Sequence, residues 1–502
     1  MLIYLLVFIN GFVIMGVELS ASRLVAPYFG TTLVVWTNLI GAIMLFLSIG
    51  YYLGGEISVR RPQPRVLYSL TLAAGVTVAF LPMAARPLMA LVSGAATAGS
   101  FFAVMGATFL LLAPSTILMG CVVPFAVRLR CREAEDASRT AGRIAGTLYA
   151  VATVGSIIGV FLPVLFLMPT FGTRATFFIL SAALTVVSLV GIARPLPLLL
   201  LAAYLPVALT LGKSIGPSVS GEVLLEERET PYNYVRIFQK GDRVQMSINE
   251  GQLVYSQFVK GELLTHTYRD LFTLAPLFSG RYAEKGYPSK ILVLGIGGGI
   301  ASQQLRRAYP EAEINGVEID PVLPELGEKW MGLEGALDRL VIDDGRNFLR
   351  GCENEYDVIV ADAYSQIYIP FHLATVEFFE EVRQCLAPGG VMALNVAWRT
   401  AENHELLTHV ANTASTVFQT VHLATMRHRY NVLLFASGDE LDERAVDKNM
   451  AGAAGELEKA VLEEVVSGVQ RYGVVEGVFP FTDDWAPVEM MTDRVWYAMF
   501  WD

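Results

Sequence analysis

Long apolar segments fill the first part of this chain, and they limit the folds open to it. Six segments of the 502-residue sequence are apolar over lengths near that of a membrane span: residues 2–17, 34–53, 66–91, 101–123, 144–168 and 173–192. Inside a bilayer the backbone must satisfy its own hydrogen bonds, so such segments form helices. The first has no basic start and no small-residue cleavage site, so we interpret it as a retained helix. We predict a transmembrane helical domain over residues 1–212.

Charge is divided unevenly between the two parts of the chain. Residues 1–212 contain twelve arginines, no lysine and five acidic residues, whereas the remainder contains 25 basic and 43 acidic residues. An acidic soluble part argues against nucleic acid as a partner, because phosphates require a basic surface. The four cysteines form no Cys-x-x-Cys pair and the six histidines show no ligand spacing. We therefore expect neither a disulfide framework nor a metal site.

After residue 212 the sequence changes to the patterns of a soluble α/β protein. Residues 213–221 are polar, contain glycine and proline, and predict a linker. Strand-like runs follow at residues 222–227, 234–239 and 244–248, with turns at Lys240-Gly241-Asp242 and Asn249-Glu250-Gly251. We predict a small antiparallel β domain over residues 222–262. An amphipathic helix at residues 263–277 then begins a Rossmann-like domain over residues 263–502.

A glycine-rich turn and three acidic residues mark a nucleoside site in this second part. A strand pattern at residues 291–294 leads into Gly295, Gly297 and Gly299 and then into a helix-like stretch. The glycines let the backbone approach a ligand, and the helix presents its N-terminus to it. Ile300 stands where a dinucleotide fingerprint needs glycine, which weakens an NAD interpretation.

The three acidic residues each follow a further strand pattern, and ligands of open α/β sheets bind at those strand ends. A carboxylate at Glu318 can accept hydrogen bonds from both ribose hydroxyls. One at Asp344 can accept from an adenine amino group, and Asp362 ends the fourth strand pattern. Together these residues predict nucleoside binding far more strongly than any one of them does.

At these residues the chain resembles the spermidine synthase (polyamine aminopropyltransferase) family. In the soluble part the matching motifs are the glycine turn, Val317-Glu318-Ile319-Asp320, Asp344-Gly345-Arg346, Asp362-Ala363-Tyr364, Ile369-Pro370-Phe371-His372-Leu373, Ala387-Pro388-Gly389-Gly390 and Thr482-Asp483-Asp484-Trp485-Ala486-Pro487. In the first part they include Glu18-Leu19-Ser20-Ala21-Ser22-Arg23-Leu24, Pro27-Tyr28-Phe29-Gly30 and Gly50-Tyr51-Tyr52-Leu53-Gly54-Gly55. The sequence looks most like the membrane-fused branch, in which a multi-helix domain precedes the synthase domain.

The resemblance implies a donor, a reaction and roles for individual residues. The donor is decarboxylated S-adenosylmethionine, or S-adenosylmethionine itself, and an aminopropyl group passes to a putrescine-like amine without a metal. Asp362 matches the family's first active-site aspartate, which can take the proton from the attacking amine. Tyr268 and Tyr364 are the expected substrate-binding residues, and Asn233 stands where the family usually has a glutamine near the donor sulfur. Such synthases are often dimers, so a homodimer is among the expected partners.

Three positions depart from the family pattern. Gly298 stands where the glycine turn usually carries an aspartate, and Ser365 stands where a second aspartate usually follows the fourth strand. Val254 replaces an expected glutamine. The two aspartates would pair with the cationic ends of donor and acceptor, and a buried ammonium without a carboxylate is costly. The expectation is therefore retained nucleoside binding with an open acceptor.

A seventh apolar segment, residues 195–211, decides the side of the membrane on which the second part lies. Arginines cluster in two loops of the same parity, Arg60, Arg61 and Arg65 in one and Arg128, Arg130, Arg132, Arg139 and Arg143 in the other. The positive-inside rule places both loops, Met1 and Arg194 in the cytoplasm. We expect residues 195–211 to be re-entrant or interfacial, because the segment is short and contains Pro195, Pro197 and Pro206. The protein is then integral to the cell (inner) membrane, with a cytoplasmic catalytic domain.

Three functions stay open on the sequence. The first is a membrane-bound aminopropyltransferase of the spermidine synthase type. The second is a methyltransferase that uses S-adenosylmethionine and tolerates the loss of the amine-binding aspartates. The third is a non-catalytic membrane transporter or sensor that only binds a nucleoside or polyamine. Asp362 at its strand end favours the two enzymes.

Overall fold

The computed structural model describes residues 1–29, 33–95, 101–192, 221–249, 254–280, 282, 288–364, 368–397, 404–426, 431–453, 455–465 and 469–498. The chain divides into two compact units. The first contains Met1–Val219, Glu229–Tyr234 and Asn249–Gly251, and the second contains Ser220–Arg228, Val235–Ile248 and Gln252–Asp502. The segment 195–211, all but the last residue of the predicted linker, most of the predicted turn at 249–251 and Ser365 lie outside the described residues.

The first unit is helical throughout its described long segments. Its helices are α1 (Leu2–Phe29), α2 (Leu33–Arg60), α3 (Pro64–Ala95), α4 (Phe101–Gly120), α5 (Val122–Glu133), α6 (Ala137–Leu162) and α7 (Met168–Ile192), with a π-helical turn at Pro163–Leu167. Five helical runs among the described residues are long and apolar enough to cross a membrane. They agree with the prediction of a multi-helix N-terminal domain.

The fifth run accounts for two of the predicted spans. It covers Arg139–Ile192, 54 residues, or about 80 Å at 1.5 Å per residue. That is more than twice the ~30 Å of a hydrocarbon core. The run is interrupted at Gly172, whose φ of 80° and ψ of 165° are not helical. Only glycine adopts this backbone conformation readily.

Small residues let helices of the first unit approach closely. A Cβ added at Gly155 would lie 2.1 Å from the Phe8 carbonyl oxygen, and one at Gly159 would lie 2.3 Å from that of Phe12. These contacts join α6 to α1. Without a hydrophobic driving force between helices in lipid, such close backbone packing is a main source of association.

The small antiparallel sheet that the sequence predicts belongs to the second unit except for Glu229 and Tyr234, which fall in the first. Its strands are β1 (Val223–Glu229), β2 (Tyr234–Lys240), β3 (Arg243–Ile248) and β4 (Ser256–Val259), in that spatial order. In the β2–β3 hairpin Lys240 pairs with Arg243, so residues 241–242 form the tight turn between them. Gly241 has a φ of 64°, which the turn requires and glycine supplies at low cost.

An eight-stranded sheet forms the main body of this unit within the described residues. Its strands are β5 (Lys290–Leu294), β6 (Glu313–Glu318), β7 (Arg339–Ile342), β8 (Tyr356–Ala361), β9 (Leu386–Ala397), β10 (Thr420–Thr425), β11 (Asn431–Ser437) and β12 (Gln470–Arg471). The order is β12-β10-β11-β9-β8-β5-β6-β7, parallel from β9 to β7 and antiparallel beyond β9. The predicted α/β Rossmann-like fold is confirmed.

The strand order reverses beside β5, which has β6 on one side and β8 on the other. The carboxyl ends of β5 and β8 therefore flank the crevice in which open α/β sheets bind ligands. Both strands are almost wholly buried, because helices cover the two faces of a parallel sheet.

The helices in the described residues of this unit are α8 (Ile300–Ala308), α9 (Val322–Met331), α10 (Gly345–Leu349), α11 (Val376–Cys385), α12 (Glu405–Val417), α13 (Glu443–Ala451), α14 (Glu456–Glu464) and α15 (Val488–Ala498). Two 3₁₀ helices span Tyr268–Phe278 and Phe371–Leu373. The first replaces the longer amphipathic helix predicted at residues 263–277. It begins later because the Thr267 hydroxyl accepts a hydrogen bond from the Arg269 amide at its N-terminus.

One cysteine pair corrects the sequence prediction. Cys352 and Cys385 form a disulfide with their Cα atoms 4.9 Å apart. Cys352 follows α10 and Cys385 ends α11, 33 residues later. The expectation of no disulfide framework rested on the absence of a short Cys-x-x-Cys spacing, and that spacing carries no information about cysteines that the fold brings together.

Candidate functional site

The glycine turn after β5 has the backbone that its composition predicts. Gly295, Gly297 and Gly299 have φ values of 85°, 53° and 82°, a region that other residues rarely adopt. A Cβ at Gly295 would lie 2.6 Å from the Ala363 Cα atom, so the turn packs directly against the chain after β8. Helix α8 then begins at Ile300, and its first amides face the same end of the sheet.

Glu318, at the end of β6, holds this turn in place. Its Oε2 atom accepts hydrogen bonds from the amides of Ile296 at 2.9 Å and Gly297 at 3.0 Å. Its Oε1 atom accepts from the Asp320 amide at 3.1 Å. Burial raises the pKa of Glu318, and these amide bonds oppose the rise. A carboxylate offers about four acceptor positions, and these amides occupy three of them, so about one remains for a ligand. The contact with both ribose hydroxyls predicted for Glu318 stays a prediction.

Asp362 lies at the end of β8, surrounded by hydrogen-bond donors. Its Oδ1 atom accepts from the Tyr268 hydroxyl at 2.9 Å and from Asn395 Nδ2 at 3.1 Å. Its Oδ2 atom lies 3.2 Å from Arg269 Nε in a buried ion pair. The Asp362 amide donates to the Leu294 carbonyl oxygen, which joins the residue to the strand before the glycine turn.

The environment of Asp362 favours proton acceptance. Burial raises the pKa of Asp362, while the Arg269 charge and the donors Tyr268 and Asn395 limit the rise. A general base works best when its pKa approaches the operating pH. Burial also raises the pKa of Tyr268, so this tyrosine stays a neutral donor to the carboxylate.

A second layer of polar residues fixes the groups around Asp362. Tyr364 donates its hydroxyl to the Asn395 carbonyl oxygen at 2.6 Å, and Asn431 donates Nδ2 to Asn395 Oδ1 at 2.9 Å. Arg269 Nη2 donates to the Tyr255 carbonyl oxygen at 2.8 Å. Tyr268, Asp362 and Tyr364, predicted from distant parts of the sequence, are thus brought into one network.

Asp344 occupies a different local setting. Its Oδ1 atom accepts from the amides of Arg346 and Asn347, so it caps the N-terminus of α10. Its Oδ2 atom lies 3.3 Å from His372 Nε2. Among the described residues it hydrogen-bonds to neither Glu318 nor Asp362. The adenine contact predicted for Asp344 stays a prediction.

Two family motifs that are remote in sequence meet next to Asp344. Arg346 is buried and pairs through Nε with Glu381 at 2.9 Å and through Nη1 with Asp483 at 2.6 Å. Hydrogen bonding to Arg346 lowers the pKa of Asp483. This ion-pair cluster secures the segment that contains Asp344 and gives the motif at residues 482–487 a structural role.

Asn233 and Gly298 complete the comparison with the sequence predictions. The Asn233 side chain accepts a hydrogen bond from Asn249 Nδ2 at 3.1 Å within the first unit, and its predicted donor-sulfur contact stays a prediction. At Gly298 a Cβ would lie 2.6 Å from Met331 Sδ and 2.9 Å from Ser256 Cβ. The site therefore has no room for the aspartate usual in the family unless these neighbours move.

Sequence reasoning missed Arg269 and Asn395. Arg269 directly follows Tyr268, so its proximity to Asp362 would follow from the placement of that tyrosine. Asn395 lies near the carboxyl end of β9, the parallel strand next to β8. The strand-end rule that selected Glu318 and Asp362 could have identified it too.

Comparison with known proteins agrees with this geometry. The family model of the spermine/spermidine synthase domain matches residues 266–434. The chain is 30% identical to a probable polyamine aminopropyl transferase of Bifidobacterium longum over 283 residues, which are 53% of this chain and 62% of that protein. It is 27% identical to an eEF1A lysine and N-terminal methyltransferase homolog of Drosophila melanogaster over 208 residues, 39% of this chain and 30% of that protein.

Among solved structures, a probable spermidine synthase from Corynebacterium glutamicum matches with a TM-score of 0.41 and 21% identity, over 54% of this chain and 99% of that one. The match with the Bifidobacterium protein covers 62% of that protein, which is less than two thirds of its length. The match at residues 266–434 contains Tyr268, the glycine turn, Glu318 and Asp362. The C-terminal part of this chain therefore contains a spermine/spermidine synthase domain.

Proposed function

We propose that the C-terminal part of this chain is a transferase that moves an aminopropyl group from decarboxylated S-adenosylmethionine to an amine acceptor. The observation that carries the proposal is Asp362, buried at the end of β8 beside the glycine turn and oriented by Tyr268, Asn395 and Arg269. The relative from Bifidobacterium, named a probable polyamine aminopropyl transferase, supports the same reaction.

The residues of the site divide the work between binding and proton transfer. The open glycine turn and Glu318 bind the nucleoside, and Asp344 contacts the adenine. Asp362 accepts a proton from the attacking amine as the new C–N bond forms. The C–S bond breaks at the same time, and its electron pair stays on sulfur, so the sulfonium becomes the neutral thioether of methylthioadenosine. Tyr268 and Tyr364 line the acceptor side, and Asn233 lies near the donor sulfur.

A methyltransferase is the second candidate, supported by the Drosophila relative. Purified protein is given S-adenosylmethionine or its decarboxylated form, each with putrescine, and products are separated by chromatography. We expect methylthioadenosine from the decarboxylated donor alone. S-adenosylhomocysteine would instead establish the methyltransferase. Tight nucleoside binding without either product would leave a binding protein, the third function.

Helices α1 to α7 belong to a transmembrane domain, residues 1–212, that holds this transferase in the cell membrane. Residues 213–221 form the linker, and residues 222–262 and 263–502 form the two soluble domains. Support comes from the apolar lengths of the helices and from contacts among the arginine-rich segments. Arg130 lies over the Tyr4 ring, and Arg132 donates to the Pro62 carbonyl oxygen. These contacts bring the start of α1, the α2–α3 loop and α5 together, as a common cytoplasmic side requires.

The catalytic domain lies on the cytoplasmic side, where nucleoside donors are made. The Cys352–Cys385 disulfide is the observation that opposes this location, because disulfides persist mainly in oxidising compartments. A reporter fused after Asp502 tests the location and should be active in the cytoplasm. A periplasmic reporter signal would place the domain outside.

A further inference from the structure

A positive charge lies inside the acceptor side of the Asp362 cluster. The Arg269 side chain is 11% exposed, and its Nε atom lies 3.2 Å from Asp362 Oδ2. Its guanidinium carbon lies 4.5 Å from the centre of the Tyr268 ring. The charges of Arg269 and Asp362 cancel, so the pair presents no net negative charge to a substrate.

The neighbouring carboxylates are bound to backbone groups. Glu318 accepts from three amides, and Asp320 is fully buried and accepts from the Val322 amide. Position 298 is a glycine, and a Cβ there would meet Met331 and Ser256. A second ammonium group on the substrate would therefore meet the Arg269 guanidinium, a like charge, with no carboxylate provided for it at these positions.

We propose that Arg269 determines specificity by binding a carboxylate carried by a substrate, so that the site selects an amino-acid-like molecule over a polyamine. This inference rests on the proposed transferase function and deepens it. A guanidinium has five N–H donors in a planar fork that matches a carboxylate. Its side-chain hydrogen bonds within the described part of the chain involve Nε and Nη2, which leaves donor capacity for a substrate.

The carboxylate lies on the acceptor, at the end opposite the attacking amine. The proposed donor, decarboxylated S-adenosylmethionine, has no carboxylate of its own. The experiment therefore varies the acceptor and keeps this donor.

Initial rates are measured with decarboxylated S-adenosylmethionine and three acceptors that carry different groups on the same four-carbon chain: putrescine, 1-aminobutane and 5-aminopentanoate. We expect the highest kcat/KM for 5-aminopentanoate, the acceptor with a carboxylate.

Three variants test the residue itself. Arg269→Gln should lower the carboxylate preference by at least about 30-fold, the cost of truncating one partner of a buried charge pair. Arg269→Lys keeps the charge, loses the fork and should lower the preference less. Arg307→Gln is the matched control, because Arg307 hydrogen-bonds to the Glu262 carbonyl oxygen and Gln304 and not to the Asp362 cluster.

Two results would overturn the inference while leaving the transferase intact. One is a wild-type preference for putrescine with the decarboxylated donor. The other is an unchanged preference in Arg269→Gln with only a shifted pH profile, which would make Arg269 a positioning partner of Asp362. If no pair turns over, the proposed function fails, and calorimetry decides the inference alone. Protein saturated with methylthioadenosine should then bind 5-aminopentanoate more tightly than 1-aminobutane, and Arg269→Gln should remove that difference.

Discussion

Replacing Asp362 with asparagine separates the chemical task of this residue from its structural one. The carboxylate accepts from Tyr268 and Asn395 through Oδ1 and pairs with Arg269 through Oδ2. An asparagine can keep its oxygen toward the first two donors only by turning its amide NH₂ toward the third. Two donors would then face each other, and the guanidinium would stay buried without its counter-ion.

Asp362→Asn should lower both the reaction rate and the stability of the protein, and the two losses have separate causes. Removal of a general base costs about 10²- to 10⁴-fold in rate. Breaking a buried ion pair by removal of one partner costs about 3–5 kcal/mol of stability. For a unit of this size, that is a fall of roughly 10 °C or more in Tm. Nucleoside affinity should change little in the folded protein, because Glu318 and the glycine turn are untouched.

The double variant Asp362→Asn with Arg269→Met tests whether the unpaired Arg269 charge causes the loss of stability. It removes the stranded charge and should recover much of the lost Tm, while turnover stays low. Detergent-solubilised protein is assayed by methylthioadenosine release, thermal unfolding and calorimetry with methylthioadenosine. Wild-type turnover in Asp362→Asn would refute the role of Asp362 as proton acceptor. A Tm that the second change fails to recover would refute the ion pair as the source of instability.

Three further expectations concern the second unit. Burial raises the pKa of Asp362 above the usual value of about 3.9 for an aspartate. As the pH falls, kcat/KM should therefore begin to drop at a pH above that value. A drop that occurs only at or below it would contradict this expectation. Burial lowers the pKa of His422 to about 4, below the unfolded value near 6.5. The free energy of unfolding should therefore decrease as the pH falls from about 6.5 to 4, and it should decrease less in His422→Phe. Thermal unfolding measured at several pH values tests this. Gly298→Asp should lower Tm by overpacking, at about 1–3 kcal/mol, and Met331→Ala in the same chain should relieve it; an unchanged Tm in Gly298→Asp would show that the space is available.

The strand-end pattern carried the sequence analysis of the site. Glu318 and Asp362 were found because apolar runs of strand length end at each of them, and parallel strands present those ends on one edge of the sheet. Gly295 and Gly299 were found because a turn with positive φ selects glycine locally. Both signals depend on residues close together in the chain, so one sequence suffices to detect them.

For Asp344 and the first 3₁₀ helix, local sequence patterns predict the position but not the detailed structure. Asp344 also follows a strand pattern, but its side chain caps α10 and faces His372. The start of the Tyr268–Phe278 helix depends on a hydrogen bond at Thr267 that an apolar periodicity does not reveal. A pattern thus locates a residue at the correct edge of the sheet without fixing the direction of its side chain.

The sequence alone determined the helical first part, the α/β second part and the glycine turn after β5, because hydrophobic period and turn chemistry are local. The tertiary structure alone decided which distant groups meet. It pairs Arg269 with Asp362, Arg346 with Asp483 and Cys352 with Cys385. These pairs depend on the path of the chain between them, which no spacing in the sequence encodes. Of these pairs, Arg269–Asp362 lies at the candidate site, so the charge there was visible only in the folded protein.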